Sequence, residues 1–395
     1  MYLTSFIHRE QLFEIAERWI CGCPAADDIE KFTEILIGDG FVLGGVLENF
    51  SGFLLGILHE NTFTEKHIHS KGELRDVLTR NPNGTNPRLK ELFSLYQKNP
   101  DYFYREAPIN GVVCLDDGDH LLGIYRIKRS KRIAEKANRR IASWIFEKVQ
   151  SVAQDMAGER ARRSHIPLEW FVTPPEEMIR ELIRAEEEVA QSFKEGLIEF
   201  DRSALTLYDV GAIKIIADSE KLNFLEKILF EHPRIRVIEK EDFKGNYQAS
   251  NLILEIGWDA EQACRTFKDR RSWEKYLERG IPENRLKKGL EPFLEGAQPT
   301  LIIELILSTF PDLVESELGK SIHEERIIAQ RGDNRYRGFI PINVEFLIEY
   351  LFAAGFSPKL RIEHVPIKLW GRYLPETLSS YVRSLYDLPE QELSY

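Results

Sequence analysis

Asp209 stands at the mouth of an apolar run, Val210-Gly211-Ala212-Ile213-Lys214-Ile215-Ile216-Ala217, that reads as a buried strand. Asp218-Ser219-Glu220 then caps an amphipathic helix. A run of this kind has to sit inside a sheet, with its opening carboxylate at the strand end, where a metal can be held over a ligand crevice. Taken alone, Asp209 reads as a turn residue satisfied by backbone N–H groups. Only partners elsewhere in the chain separate the two readings.

With 395 residues the chain exceeds one ordinary core, so two or three domains are expected. A net charge of −11 opposes bulk, sequence-independent nucleic-acid binding but leaves room for a local basic pocket. Apolar runs such as residues 301–307 are too short to span a bilayer, and Met1-Tyr2-Leu3-Thr4-Ser5 does not open a signal peptide. No membrane segment is therefore expected. Cys21-Gly22-Cys23 is too tight for a common zinc pair, and Cys114 and Cys264 are isolated. Reduced, unpaired thiols in a cytoplasmic protein are expected.

Residues 1–105 read as a small α/β unit, with helical spacing over 10–20 and 27–37 and strands over 41–58 broken by Gly44-Gly45 and Ser51-Gly52. His67 and His69 fall on one strand face without a third ligand and read as surface histidines. Residues 111–127 read as a hairpin around Asp116-Asp117-Gly118-Asp119. The chain then turns basic at Arg126, Lys128, Arg129, Lys131, Arg132, Lys136, Arg139 and Arg140, with Glu135 the one acid among them. Such a strand-to-helix junction suits a polyphosphate, and equally suits a solvated helix face.

Helical spacing continues over residues 142–156, and Thr173-Pro174-Pro175-Glu176 starts a further helix running to Gly196. After the helix at 222–230 come strands at 235–238 and 252–256, joined through Gly245-Asn246, a turn that sets the angle of Tyr247. That ring either stacks on a base or roofs a core edge. A polar helical stretch, residues 259–295, leads to the apolar run at 300–309, in which Glu304 is the one charge. In strand geometry Glu304 shares a face with Thr300, Ile302, Ile306 and Ser308. It must face solvent, pair with a cation, or serve as an acid or base. A helix is expected at 311–328, and a C-terminal α+β extension at 331–395 with a helix at 344–352.

Together these stretches resemble the synthetase domain of the RelA/SpoT family, the pyrophosphokinases that make (p)ppGpp, over roughly residues 110–325. Asp209-Val210-Gly211-Ala212-Ile213-Lys214-Ile215-Ile216 looks like the D-x-x-G-x-R-x-I strand, with Ala212 for Gly and Lys214 for Arg. Asp242-Phe243 followed by Asn246-Tyr247-Gln248-Ala249-Ser250-Asn251 is similar to D-[YF]…G-Y-x-S-x-H, with Asn246, Ala249 and Asn251 replacing Gly, Ser and His. Glu304-Leu305-Ile306-Leu307-Ser308-Thr309 resembles E-x-Q-x-R-T, keeping Glu and Thr, and Glu317-Leu318-Gly319-Lys320 follows where E-x-x-H often stands. Arg126, Lys128, Ile133 and Lys136 have the spacing of the family's phosphate loop, and a helical insertion at about 140–200 would separate them from Asp209.

The resemblance implies an α+β fold: a nucleotidyltransferase-like mixed sheet flanked by helices over 106–330, with extra units at 1–105 and 331–395. It implies transfer of the β,γ-pyrophosphate of ATP to the 3′-hydroxyl of a guanosine nucleotide, with Mg²⁺ on Asp209 and Glu304 as the catalytic carboxylate that accepts the proton or shares the metal. Arg126, Lys128, Lys136 and Lys214 would hold phosphates, Tyr247 would stack on the acceptor base, and Asn251 would lie on the acceptor side. Homo-oligomerisation is allowed. No HD-type metal cluster lies upstream, so no alarmone hydrolysis is expected. The polar groups missing around the acceptor leave two other readings open: an inactive homologue that binds a nucleotide or a protein, and an unrelated interaction protein.

Overall fold

The computed structural model describes residues 1–59, 62–165, 167, 174–271, 273–319, 325, 328 and 338–389. The fold is α+β. Its described elements are β1 (Tyr2–Leu3), α1 (Arg9–Ile20), α2 (Asp28–Leu58), β2 (Thr64–Ser70), α3 (Lys71–Arg80), α4 (Pro87–Lys98), β3 (Pro108–Leu115) and β4 (Leu121–Ile127). Then come α5 (Ser130–Arg163), α6 (Pro175–Glu195), β5 (Thr206–Leu207), β6 (Gly211–Ile216), α7 (Ser219–Glu231), β7 (Ile235–Lys244) and β8 (Gln248–Gly257). The last are α8 (Ala260–Asp269), α9 (Glu283–Leu286), β9 (Thr300–Ser308), α10 (Phe310–Leu318), α11 (Phe339–Gly355) and α12 (Pro375–Ser384).

A mixed seven-stranded sheet runs β2-β3-β4-β6-β9-β8-β7, and β1 pairs with β5 in a small two-stranded sheet. Its central pair, β6 and β9, is parallel, with Ala212 opposite Glu304; every other neighbouring pair is antiparallel. Strand alternation sends Ile213, Ile215, Ile303 and Leu305 into the larger core, against residues of α1, α2, α5, α6 and α11. The opposite face meets α3, α4 and α10 over Val113, Leu115, Ile124 and Ile216. Arg126, Ala212, Lys214, Glu304 and Asn251 share this second face by register, beyond its apolar patch.

The first residues act as a clamp. Ser5 Oγ donates to the Ile302 carbonyl (2.6 Å) and accepts from Gly211 N (3.3 Å), while Thr4 Oγ1 donates to the Leu207 carbonyl (2.9 Å). Arg9 Nη1 reaches the Thr300 carbonyl at 2.7 Å. The entrances of β6 and β9 are thereby held side by side.

Residues 41–58 are not strands: they complete the 31-residue helix α2. A helix that is apolar nearly all round has no polar face to reveal its period, and its glycine pairs imitate turns. By length and composition α2 could cross a membrane. Here Leu43, Leu47, Leu54 and Leu55 are fully buried in the protein's own core. The sheet also crosses the expected boundary at 105, because β2 is its outermost strand.

The described residues of the C-terminal part, 338–389, contain α11 and α12 and no strand, where an α+β extension was expected. α11 packs on α5 and α2. The long helices α5 and α6 occupy the expected insertion, α6 ending at Gly196 in a left-handed cap with φ 69°. Thr173, the expected cap of α6, and most of the expected helix beyond Leu318 lie outside the described residues. The four cysteines are free, and His67 and His69 are exposed on β2.

Gly45 tests the reassignment of α2, because a Cβ added there meets nothing within 4 Å. In a helix interior Gly45→Ala is expected to stabilise the protein by about 0.5–1 kcal/mol, read as a higher urea midpoint. A turn between strands would make the same change neutral or destabilising.

Candidate nucleotide site

Asp209 precedes β6, and the Lys128 N–H donates to the Val210 carbonyl at 2.8 Å, extending the β4–β6 pairing beyond the strands. The extension sets Lys128 beside Asp209, with Nζ at 3.0 Å from Oδ2 and a further bond to the Asp209 carbonyl. Lys136, from the second turn of α5, donates to the same carboxylate oxygen. Burial would raise the Asp209 carboxyl, but the charges of Lys128 and Lys136 outweigh it and hold the group far below its usual range. Burial pushes Lys128 down to about 8, against the pull of Asp209 and Glu304.

Glu304 lies on β9, one strand away. Asn251 Nδ2 donates to its Oε1 at 3.1 Å from the neighbouring strand β8. Lys214, also facing this side of the sheet, is pushed down to about 8 by burial, with Glu317 opposing the shift.

These groups converge. Arg126, Lys128, Lys136, Asp209, Lys214, Tyr247 and Glu304 all line one cavity of about 460 Å³. Asn251 is not on that wall and bears on it through Glu304. Arg129 and Arg132, at the start of α5, line it too, and Arg129 as N-cap makes no side-chain cap. The first turn of a long helix, uncapped by a side chain and flanked by cations, has the polarity that favours an anion. Arg126, Arg129 and Lys214 make no ion pair among the described residues. Tyr247 rests on Phe243, ring centroids 4.6 Å apart, at the hairpin between β7 and β8.

The far wall contains Glu317 together with groups that had no signal in the sequence. Lys71, at the start of α3, meets Glu317 of α10 at 2.8 Å, and Arg75 reaches the same carboxylate at 3.4 Å. Burial pushes Glu317 up, but Lys71, Arg75 and Lys214 bring it down to about 2. Tyr104 supplies a second wall ring and holds a left-handed backbone, φ 51°, uncommon outside glycine. Lys71 and Glu317 lie 246 residues apart; Glu317 is marked in the sequence only as the start of Glu317-Leu318-Gly319-Lys320, and Lys71 does not stand out from its own stretch.

For Mg²⁺ the donors are two carboxylates, Asp209 and Glu304, on one wall. Among the described residues no group of three or more His, Cys, Asp or Glu side chains is arranged to hold a metal. Two carboxylates completed by phosphate oxygens and water is the usual way this ion is held. The donor chemistry fits, provided that Lys128 and Lys136 turn from Asp209 to the phosphates.

The Glu317 cluster gives a pH test. Its folded carboxyl lies at about 2, below the ordinary 4.5, so its stabilisation is complete above 4.5 and lost as pH falls toward 2. Glu317→Gln removes the carboxylate charge that Lys71 and Arg75 share and is expected to cost about 3–5 kcal/mol at pH 7. In urea titrations between pH 6 and 3, the gap between wild type and variant should narrow as pH falls.

No family model matches the chain, and no curated protein matches it. Among solved structures it is similar to the small alarmone synthetase 1 from Bacillus subtilis, with 12% identity over 71% of this chain and 90% of that chain. The TM-score is 0.21, a likeness too remote to place the chain in a family.

Proposed function

We propose that the cavity binds a nucleoside triphosphate and that the chain is a divergent, Mg²⁺-dependent pyrophosphokinase of RelA/SpoT type, moving pyrophosphate from ATP to the 3′-hydroxyl of a guanosine nucleotide. One observation supports this reading above the others: seven residues expected from separate stretches of the sequence line a single cavity. In a protein of net charge −11, seven cations face three carboxylates there.

The chemistry needs position and charge neutralisation more than covalent catalysis. Arg126, Lys128, Lys136 and Lys214, with the first turn of α5, would hold the phosphates, and Tyr247 would stack on a base. Glu304, oriented by Asn251, would accept the 3′-hydroxyl proton as that oxygen bonds to the β-phosphorus and the bond to the α–β bridging oxygen breaks, releasing AMP. Mg²⁺ held by Asp209 and Glu304 would neutralise phosphate charge when bound.

A second reading, nucleotide binding without turnover, is favoured by the occupation of Asp209 by two lysines. One experiment separates them: labelled ATP with GDP or GTP and magnesium, run for wild type, Asp209→Asn and Glu304→Gln. The first reading expects pyrophosphate transfer, reduced about 10²–10⁴-fold by Glu304→Gln with ATP binding retained. Binding without transfer in the wild type selects the second. Both fail if Arg126→Ala combined with Lys136→Ala binds ATP as the wild type does. Nucleotide affinity is also expected to fall as pH rises through about 8, where Lys128 and Lys214 lose their protons.

A further inference from the structure

His8 and Asp39 form a buried pair that the proposed reaction does not use; each is 1% exposed. Asp39 Oδ2 accepts from the His8 backbone N–H at 2.8 Å, and Oδ1 lies 2.7 Å from His8 Nδ1. A carboxylate can only accept, so it places the ring proton on Nδ1, and in the neutral imidazole Nε2 presents a lone pair. That atom is buried and has no hydrogen-bond partner among the described residues. A buried polar atom left in this way carries a free-energy penalty unless something completes it.

His8 lines a cleft of about 730 Å³ in which Ile35, Ile37, Phe267, Leu286, Leu290 and Phe293 make an apolar part beside charged side chains. The imidazole lies against Phe293, ring centroids 4.3 Å apart. Most of the charge lining the cleft is already paired. Arg285 pairs with Glu30 and Glu34, Lys31 with Asp27 at 2.7 Å, and Lys288 and Glu295 are of opposite sign. A charged guest would therefore gain little there. A neutral one with an aromatic or aliphatic body and a single donor matches both the walls and the lone pair.

We propose that this cleft is a binding site for a small neutral molecule with an apolar body and one hydroxyl, whose proton is accepted by Nε2 of His8 in the Asp39-held tautomer. Phenol and anisole are suitable probes, since they share the ring but only phenol donates. Calorimetry on the full chain should show phenol binding roughly three- to tenfold tighter than anisole, the value of one hydrogen bond. In protein labelled with ¹⁵N-histidine, phenol should displace one imidazole Nε2 resonance that anisole leaves in place. Asp39→Asn, whose amide can donate to Nδ1 and drive the ring proton to Nε2, should abolish or reverse the preference. Equal affinity for the two probes, or phenol binding that moves no imidazole resonance, overturns the proposal. The wild-type comparison decides by itself if the variant does not fold.

Discussion

One carboxylate, Asp209, receives two ammonium groups arriving from different elements, and the junction of sheet and basic helix depends on that contact. Lys128 comes from the end of β4 and Lys136 from α5, so β4, β6 and α5 are tied at one point. Without Asp209 the lysines would repel each other in a partly dehydrated space. Without them, a mostly buried anion would stand alone. The contact is therefore mutual compensation, and its strength reflects the cost of breaking it from either side.

The same logic operates across the cavity, where Glu317 is shared between Lys71 and Arg75. Between these two compensated clusters stand Arg126, Arg129 and Lys214, whose charge no described residue pairs. The acidic exterior and this basic interior are thus separate features of one chain. Walls of low polarisability concentrate the interior field, which draws an anion in without making the whole surface attractive to nucleic acid.

Much of this site was legible because its residues break local patterns. Glu304 is the one charge in an apolar strand, Asp209 opens another, and the run from Arg126 to Arg140 is basic in an acidic chain. Each anomaly marks a place where local preference yields to something else. Lys71, Arg75 and Tyr104 break no pattern: a lysine in a polar stretch looks the same whether it faces water or a distant glutamate. The hydrogen bond that Asn251 donates to Glu304 was likewise invisible in the sequence. The helix α2 was misread for the opposite reason. Over residues 41–58 apolar side chains and glycines occur on every side, so neither period 2 nor period 3.6 survives in the sequence. The lack of strands among residues 338–389 follows from α11 covering α2 and α5 rather than extending the sheet.

The clamp made by Thr4, Ser5 and Arg9 also governs the order in which the molecule can be assembled. These residues emerge from the ribosome well before their partners, the backbone at Leu207, Gly211, Thr300 and Ile302. At about 5–20 residues per second, the opening segment waits on the order of 15–60 s for strand β9 to appear. During that interval it has only β5 and the start of β6 to join. The parallel pairing of β6 with β9, the most non-local step in the sheet, then closes the clamp and brings Asp209 and Glu304 onto neighbouring strands in one event. A nascent chain paused before residue 300 would hold all seven cations of the cavity but neither Glu304 nor Glu317, and so would be a sticky, half-built anion trap.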